Sequence, residues 1–216
     1  MRRLFLFALI ALVLAACKTT SYRSYDASAD EVAPLSQDVR FDVADGFYRD
    51  SPDCAVVLAA PAGVPANLAN IVERAVARNL REKIRHVIDP AARQRAEFEL
   101  ALDLDDPQDA KRFAAIKKCR HFLRIHQAAV EDTYAVLWSE RRLTLELALH
   151  RARDNAVVWR VAHTASRGDG GLPLSPLGLG SAVLRAGLSS SDVEAVPSLV
   201  DDMMRRMFAT LPDVRW

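Results

Sequence analysis

The sequence predicts an α+β fold: a single mixed, largely antiparallel sheet with two or three packed helices and a long β-hairpin. Three observations predict it. Ala55–Ala60 is an unbroken apolar run closed by Pro61-Ala62-Gly63, as expected of a strand buried on both faces. Leu143, Leu145, Leu147 and Leu149 alternate with Thr144, Glu146, Ala148 and His150, the period-two signature of a half-buried strand. Two other stretches instead repeat their apolar residues every three or four positions, which marks amphipathic helices.

Taken in order, Phe41, Val43 and Phe47 open the ordered part, interrupted by Gly46 and Pro52. After the Ala55–Ala60 strand, Leu68, Ile71, Val72, Ala75, Val76, Leu80, Ile84 and Val87 predict a helix from about Asn67 to Val87. Arg74, Arg78, Arg81 and Arg85 line another face of it, either as a solvated surface paired with residues such as Glu73 and Glu82 or as a grip on acidic headgroups. Phe98, Leu100, Leu102 and Leu104 alternate with polar positions and read as a half-exposed strand. Asp106 as N-cap, Pro107 at the first helical position, Asp109 in the first turn and Lys117-Lys118 at the far end predict a short helix. Cys119–Ala129 reads as a strand with weaker alternation.

The Leu143–Leu149 strand turns at Asp154-Asn155 and returns through Val157–Ala165. A two-residue turn sets Leu149 opposite Arg160, whereas a three-residue loop sets it opposite Val161 and keeps apolar faces together. Arg167–Gly180 holds five glycines and two prolines and reads as a loop. Val193, Val196, Leu199, Val200, Met203, Met204, Met207 and Phe208 then form a stripe on a last helix, about Asp192–Thr210, ended by Leu211-Pro212. Its methionines suit either a core or an adaptable binding face.

At the N-terminus, Met1-Arg2-Arg3 precedes an uncharged apolar stretch, Leu4–Leu14, and then Ala15-Ala16-Cys17. A membrane span needs about 20 apolar residues, and this run falls short of that before Lys18. Leu14-Ala15-Ala16-Cys17 resembles the lipobox of bacterial prolipoproteins. The resemblance implies diacylglycerol on Cys17, cleavage after Ala16 and acylation of the new amino group. Residues 1–16 are then a cleaved signal peptide, residues 17–36 a lipidated cysteine with a flexible tether, and residues 37–216 a single periplasmic domain. Lipoproteins kept at the inner membrane of enteric-type bacteria usually carry Asp after the cysteine. Lys18 therefore implies the outer membrane.

Losing Arg2 and Arg3 with the signal lowers 29 basic residues to 27 against 28 acidic ones, a near-neutral body with no general attraction for nucleic acid or anionic lipid. Membrane attachment rests on Cys17. Cys54 and Cys119 remain, as a disulfide expected of an oxidising compartment or as two buried thiols. Neither Cys-x-x-Cys nor Cys/His ligand spacing is present, so no metal or cofactor is expected.

Catalytic signatures are also absent from the sequence: it has no Gly-x-Ser-x-Gly, no His-Glu-x-x-His and no phosphate loop. Asp103, Asp105 and Asp106 fit a capped turn and lack the spacing of a calcium loop. His121 and His126, five apart, share neither a strand face nor a helix face. His150 and His163 are expected to approach across the hairpin, with Glu146 beside them, and would be the acid–base group of any envelope hydrolase.

Asp154-Asn155-Ala156-Val157-Val158-Trp159 stands on the way to the glycine loop and last helix. With the order of elements over residues 54–212, it resembles the periplasmic domain of CsgG-like and PelC-like outer-membrane lipoproteins and of TolB N-terminal-type domains. The turn lacks the glycine usual there. The chain also lacks an amphipathic membrane-inserting hairpin such as a pore-former needs. The resemblance implies a non-catalytic envelope lipoprotein that self-associates or supports assembly or export through contacts with envelope proteins. The other expectation is a lipid- or small-ligand-binding auxiliary of an envelope transporter. Trp138, Trp159 and the loop residues Asp169, Gly170 and Gly171 are the interaction candidates, because tryptophan is enriched at hot spots and loops carry function. Both tryptophans suit a core equally.

Overall fold

The computed structural model describes residues 20–26, 37–135, 138–169 and 195–215. Its strands are β1 (Thr20–Ser24), β2 (Gln37–Val43), β3 (Cys54–Val57), β4 (His86–Ile88), β5 (His121–Ala135), β6 (Trp138–Arg151) and β7 (Val157–Asp169). Its helices are α1 (Asp45–Arg49), α2 (Ala66–Arg81), α3 (Pro90–Leu100), α4 (Pro107–Lys117) and α5 (Ala195–Phe208). The strands form one sheet in the order β1-β2-β7-β6-β5-β3-β4. The long ladders β2–β7, β7–β6 and β6–β5 are antiparallel, and parallel pairs flank them at both edges. This is the α+β fold with a long hairpin that the sequence predicts.

The two faces of the sheet differ because the strands alternate. Leu143, Leu145, Leu147 and Leu149 join Trp159, Val161, Leu123 and Val57 in the main core, under Val72, Val76 and Leu80 of α2 and Val200, Met203 and Met207 of α5. The methionine stripe is therefore core. On the opposite face a smaller core unites Val56, Leu58 and Phe122 with Ala96, Leu102, Leu104 and Phe113. Among the described residues, no helix is long and apolar enough to cross a membrane.

Several expectations are corrected. Helix α2 stops at Arg81, not Val87; Ile84 is buried after it and Val87 pairs with Ala55 in β4. The helical spacing runs on because Ile84 and Val87 pack into the same core from a different backbone. Phe98–Leu104 is not a strand. Asp89 caps α3 by accepting from the Ala92 N–H at 2.9 Å, Pro90 starts it, and Ala101 ends it with φ 49°. Phe98 is 91% exposed, while Leu102 and Leu104 reach the smaller core from the turn that follows. Residues 20–24, expected within a flexible tether, form the edge strand β1, in register with β2 from Thr20↔Gln37 to Ser24↔Phe41.

Helix α4 follows its sequence signals closely. Asp106 accepts from the Gln108 and Asp109 N–H groups at 2.8 and 3.1 Å, behind Pro107 at the first helical position. Neither expected hairpin register occurs: Leu149 pairs with Trp159, because the ladder slips between Leu149↔Trp159 and His150↔Val157 and absorbs Val158. The arginine stripe of α2 is a surface face, with Arg78 paired to Asp201 and Arg81 to Asp89, each at 2.6 Å. Glu73, expected to pair with it, is buried instead against Arg93.

Candidate functional site

Cys54 opens β3 and Cys119 lies just before β5, two strands paired in parallel through Ala55↔His121. Their Cα atoms are 5.1 Å apart and the residues are joined by a disulfide. The bridge fixes Lys118 and Arg120, the neighbours of Cys119, beside the end of β6, where the Ala152 N–H donates to the Arg120 carbonyl at 2.8 Å.

The β6–β7 turn is equally constrained. Asp154 accepts from Arg151 Nε and Nη2 at 3.0 and 2.7 Å and from the Ala156 N–H at 3.2 Å. Hydrogen bonding to Arg151 holds the Asp154 carboxyl well below the usual carboxylate range. Asn155 takes φ 56°, the left-handed conformation that asparagine tolerates in tight turns.

Between this turn and α4 lies a groove made of two adjoining cavities. One, of about 520 Å³, is lined by Asp50, Lys111, Ala114, Lys118, Arg120 and Ala152 among others. The second, of about 440 Å³, holds Leu104, Phe122, Arg124, His126 and His150. Lys111, Arg151, Ala152 and Arg153 line both.

His126 is the extra residue of a bulge between Ile125↔Leu147 and Gln127↔Glu146. The bulge brings its Nε2 to 3.2 Å from Nε2 of His150, whose Nδ1 lies 3.2 Å from the Asn155 carbonyl. A carbonyl only accepts, so His150 Nδ1 donates to it; with a neutral His150, its Nε2 accepts from His126. Burial holds the His150 imidazole below the usual histidine range, chiefly by disfavouring its charged form.

The expected His150–His163 approach does not occur. His163 pairs with Leu145 and faces the main core, while Glu146 and His150 share the other face. Glu146 accepts instead from Tyr25 Oη, and His163 Nδ1 donates to the Asp38 carbonyl at 2.8 Å. His121 is fully buried, and among the described residues neither of its ring nitrogens has a partner.

The interaction candidates separate. Trp159 is fully buried, donates from Nε1 to Thr210 Oγ1 at 3.1 Å and packs on Phe208, so it is a core residue and not a contact surface. The backbone of Trp138 pairs with Ala135 at the tip of the β5–β6 hairpin, and Asp169 pairs with Ser139 at the end of β7. Cys17, Gly170 and Gly171 lie outside the described residues. The groove itself escaped sequence reasoning, because the Ile125/Gln127 bulge and the turn that build it leave no periodic trace.

No family model and no curated protein matches the chain. Solved structures do. The PelC dodecamer from Paraburkholderia phytofirmans is 16% identical with a TM-score of 0.44, over 82% of this chain and 98% of that one. Lipoprotein GNA1162 from Neisseria meningitidis is 15% identical with a TM-score of 0.43, over 65% and 99%. A minor lipoprotein from Acinetobacter baumannii is 14% identical with a TM-score of 0.37, over 75% and 96%. Two of these three are named as lipoproteins.

Proposed function

We propose that this chain is an envelope lipoprotein, held at the outer membrane by acyl chains on Cys17, whose periplasmic domain works by contact and not by catalysis. The observation that carries the reading is the lipobox Leu14-Ala15-Ala16-Cys17, placed three residues before β1. Whatever conformation residues 18 and 19 take, three residues reach at most about 11 Å. The edge of the sheet then sits beside the bilayer instead of at the end of a long tether.

Two further features support it. A disulfide between Cys54 and Cys119 suits an oxidising compartment. The segment nearest the anchor is latched to the sheet: Tyr25 donates to Glu146, and the Arg160 guanidinium lies 4.1 Å from the centre of the Tyr25 ring while bonding Asp26 at 3.0 Å. Burial, followed by the bond to Glu146, pushes the Tyr25 phenol up to about 12, so it stays a donor throughout the physiological range.

The domain then presents partner surfaces at a fixed height. Photocrosslinkers at Trp138 and Asp169, followed by identification of captured proteins in whole cells, test the reading. A reproducible envelope partner or a second copy of the chain, lost on Cys17→Ser, is expected. Fatty-acid labelling that persists after Cys17→Ser contradicts the anchor.

A further inference from the structure

The near-neutral chain concentrates positive charge around the groove. Lys111, Lys118, Arg120, Arg124, Arg151 and Arg153 line it, against Asp50, Asp105 and Asp154. The acids are already engaged, Asp50 with Arg120 at 3.3 Å, Asp105 with Arg124 at 3.9 Å and Asp154 with Arg151. Among the described residues no carboxylate pairs with Lys111 or Lys118, and Arg153 has only the Asp154 already held by Arg151.

The walls between these cations are apolar. Ala114, Ala115 and Ala152 line the first cavity, and Leu104, Ala110 and Phe122 the second. Lys118 takes φ 53°, a conformation usually left to glycine after a helix, and its residue lines the cavity. The disulfide at Cys119 and the turn at Asp154 hold both sides in place. Each cavity is of the size of small-molecule sites, which run about 300–1,000 Å³ with mostly apolar walls and a few placed polar groups.

We propose that this groove binds a small anionic amphiphile, a phosphate or carboxylate on an apolar body. The anion lies at Lys111 and Arg153, which border both cavities, and the body lies along Ala114, Ala152 and Phe122. The source of the ligand follows from the topology. Thr20, Gln37, Trp138 and Asp169 share one end of the sheet, and the Ala152–Ala156 turn is at the other. From Ala165 to Val157 along β7 is about 25 Å. With Cys17 as the anchor, which is the reading given above, the groove opens away from the bilayer and takes a soluble ligand in preference to a headgroup of the anchoring leaflet.

Calorimetric titration of the complete secreted chain carrying Cys17→Ser with monomeric dodecyl phosphate tests this. Saturable one-to-one binding is expected. Lys111→Glu with Arg153→Glu should weaken it by about tenfold or more, since each removes a charge-assisted contact and adds a repulsive one, and Lys118→Glu in a separate variant should weaken it too, by setting a negative charge on the wall of the first cavity. Arg74→Glu, a charge reversal on α2, should change it by less than about twofold. No saturable binding, equal binding of uncharged dodecyl maltoside, or an equal loss from Arg74→Glu each overturns the proposal. So does flotation with phosphatidylglycerol vesicles that Lys111→Glu/Arg153→Glu abolishes, which would make the ligand a bilayer headgroup. Binding in solution does not depend on lipidation, so failure here leaves the Cys17 reading standing, and failure of that reading leaves the titration interpretable.

Discussion

Tyr25 donates its phenol hydroxyl to Glu146 across 121 residues of sequence. The bond ties the chain immediately after β1 to the middle of β6, and the neighbouring cations tighten it: Arg160 lies over the Tyr25 ring and also reaches Asp26 and Asp42. Tyr25→Phe should cost about 1 kcal/mol, the net value of one such bond. Hydrogen exchange is the sharper readout. The β1 amides should lose protection in this variant while those of β6 keep theirs; unchanged β1 protection would mean that the strand is held by backbone pairing alone.

The Cys54–Cys119 bridge closes a sequence separation of 65 residues. In the chain-entropy description such a loop contributes about 4 kcal/mol. Paired Cys54→Ala/Cys119→Ala substitution should lower the denaturant midpoint accordingly. It should also loosen the groove wall at Lys118 and Arg120, so weaker dodecyl phosphate binding is expected under conditions where the variant remains folded.

Arg93 is 3% exposed, donates to the Val57 carbonyl at 3.1 Å and faces Glu73 at 3.6 Å and Glu97 at 3.4 Å. Glu73 in turn accepts from the Ala60 N–H at 2.9 Å, so the pair bolts α2 and α3 to the end of β3. Arg93→Met leaves a buried carboxylate without its cation and should cost about 3–5 kcal/mol by urea unfolding. Adding Glu73→Leu should recover part of that loss; strictly additive losses would argue against direct coupling.

How much of this was legible in the sequence depends on how local each signal is. Helix α4 is written in Asp106-Pro107 and β3 in an unbroken apolar run, because capping and burial act on neighbouring residues. The strand β1 is short, polar and stabilised by its pairing with β2, so Thr20, Tyr22 and Ser24 give too brief an alternation to read. At Phe98–Leu104 a helix end and a turn mimic strand spacing. The bulges at His126 and Val158 shift faces and registers without altering composition, so the His126–His150 contact replaced the expected pairing of His150 with His163.

Stability should fall in acid. Burial holds His121, His150 and His163 below the ordinary histidine value of 6.5, because the imidazolium loses hydration inside the fold. The unfolded chain then binds more protons than the folded one as pH drops below about 6.5, so this contribution is complete above that pH and is lost beneath it. The melting temperature should therefore fall from pH 7.5 to pH 5, and the decline should be shallower in His163→Gln. A melting temperature that rises over that interval contradicts the assignment.

The anchor beside the sheet is tested by the mass of the N-terminal peptide of the native protein extracted from cell membranes. The expected peptide begins at Cys17 and carries diacylglycerol and a third acyl chain. A native N-terminus elsewhere, or an unmodified Cys17, would contradict it.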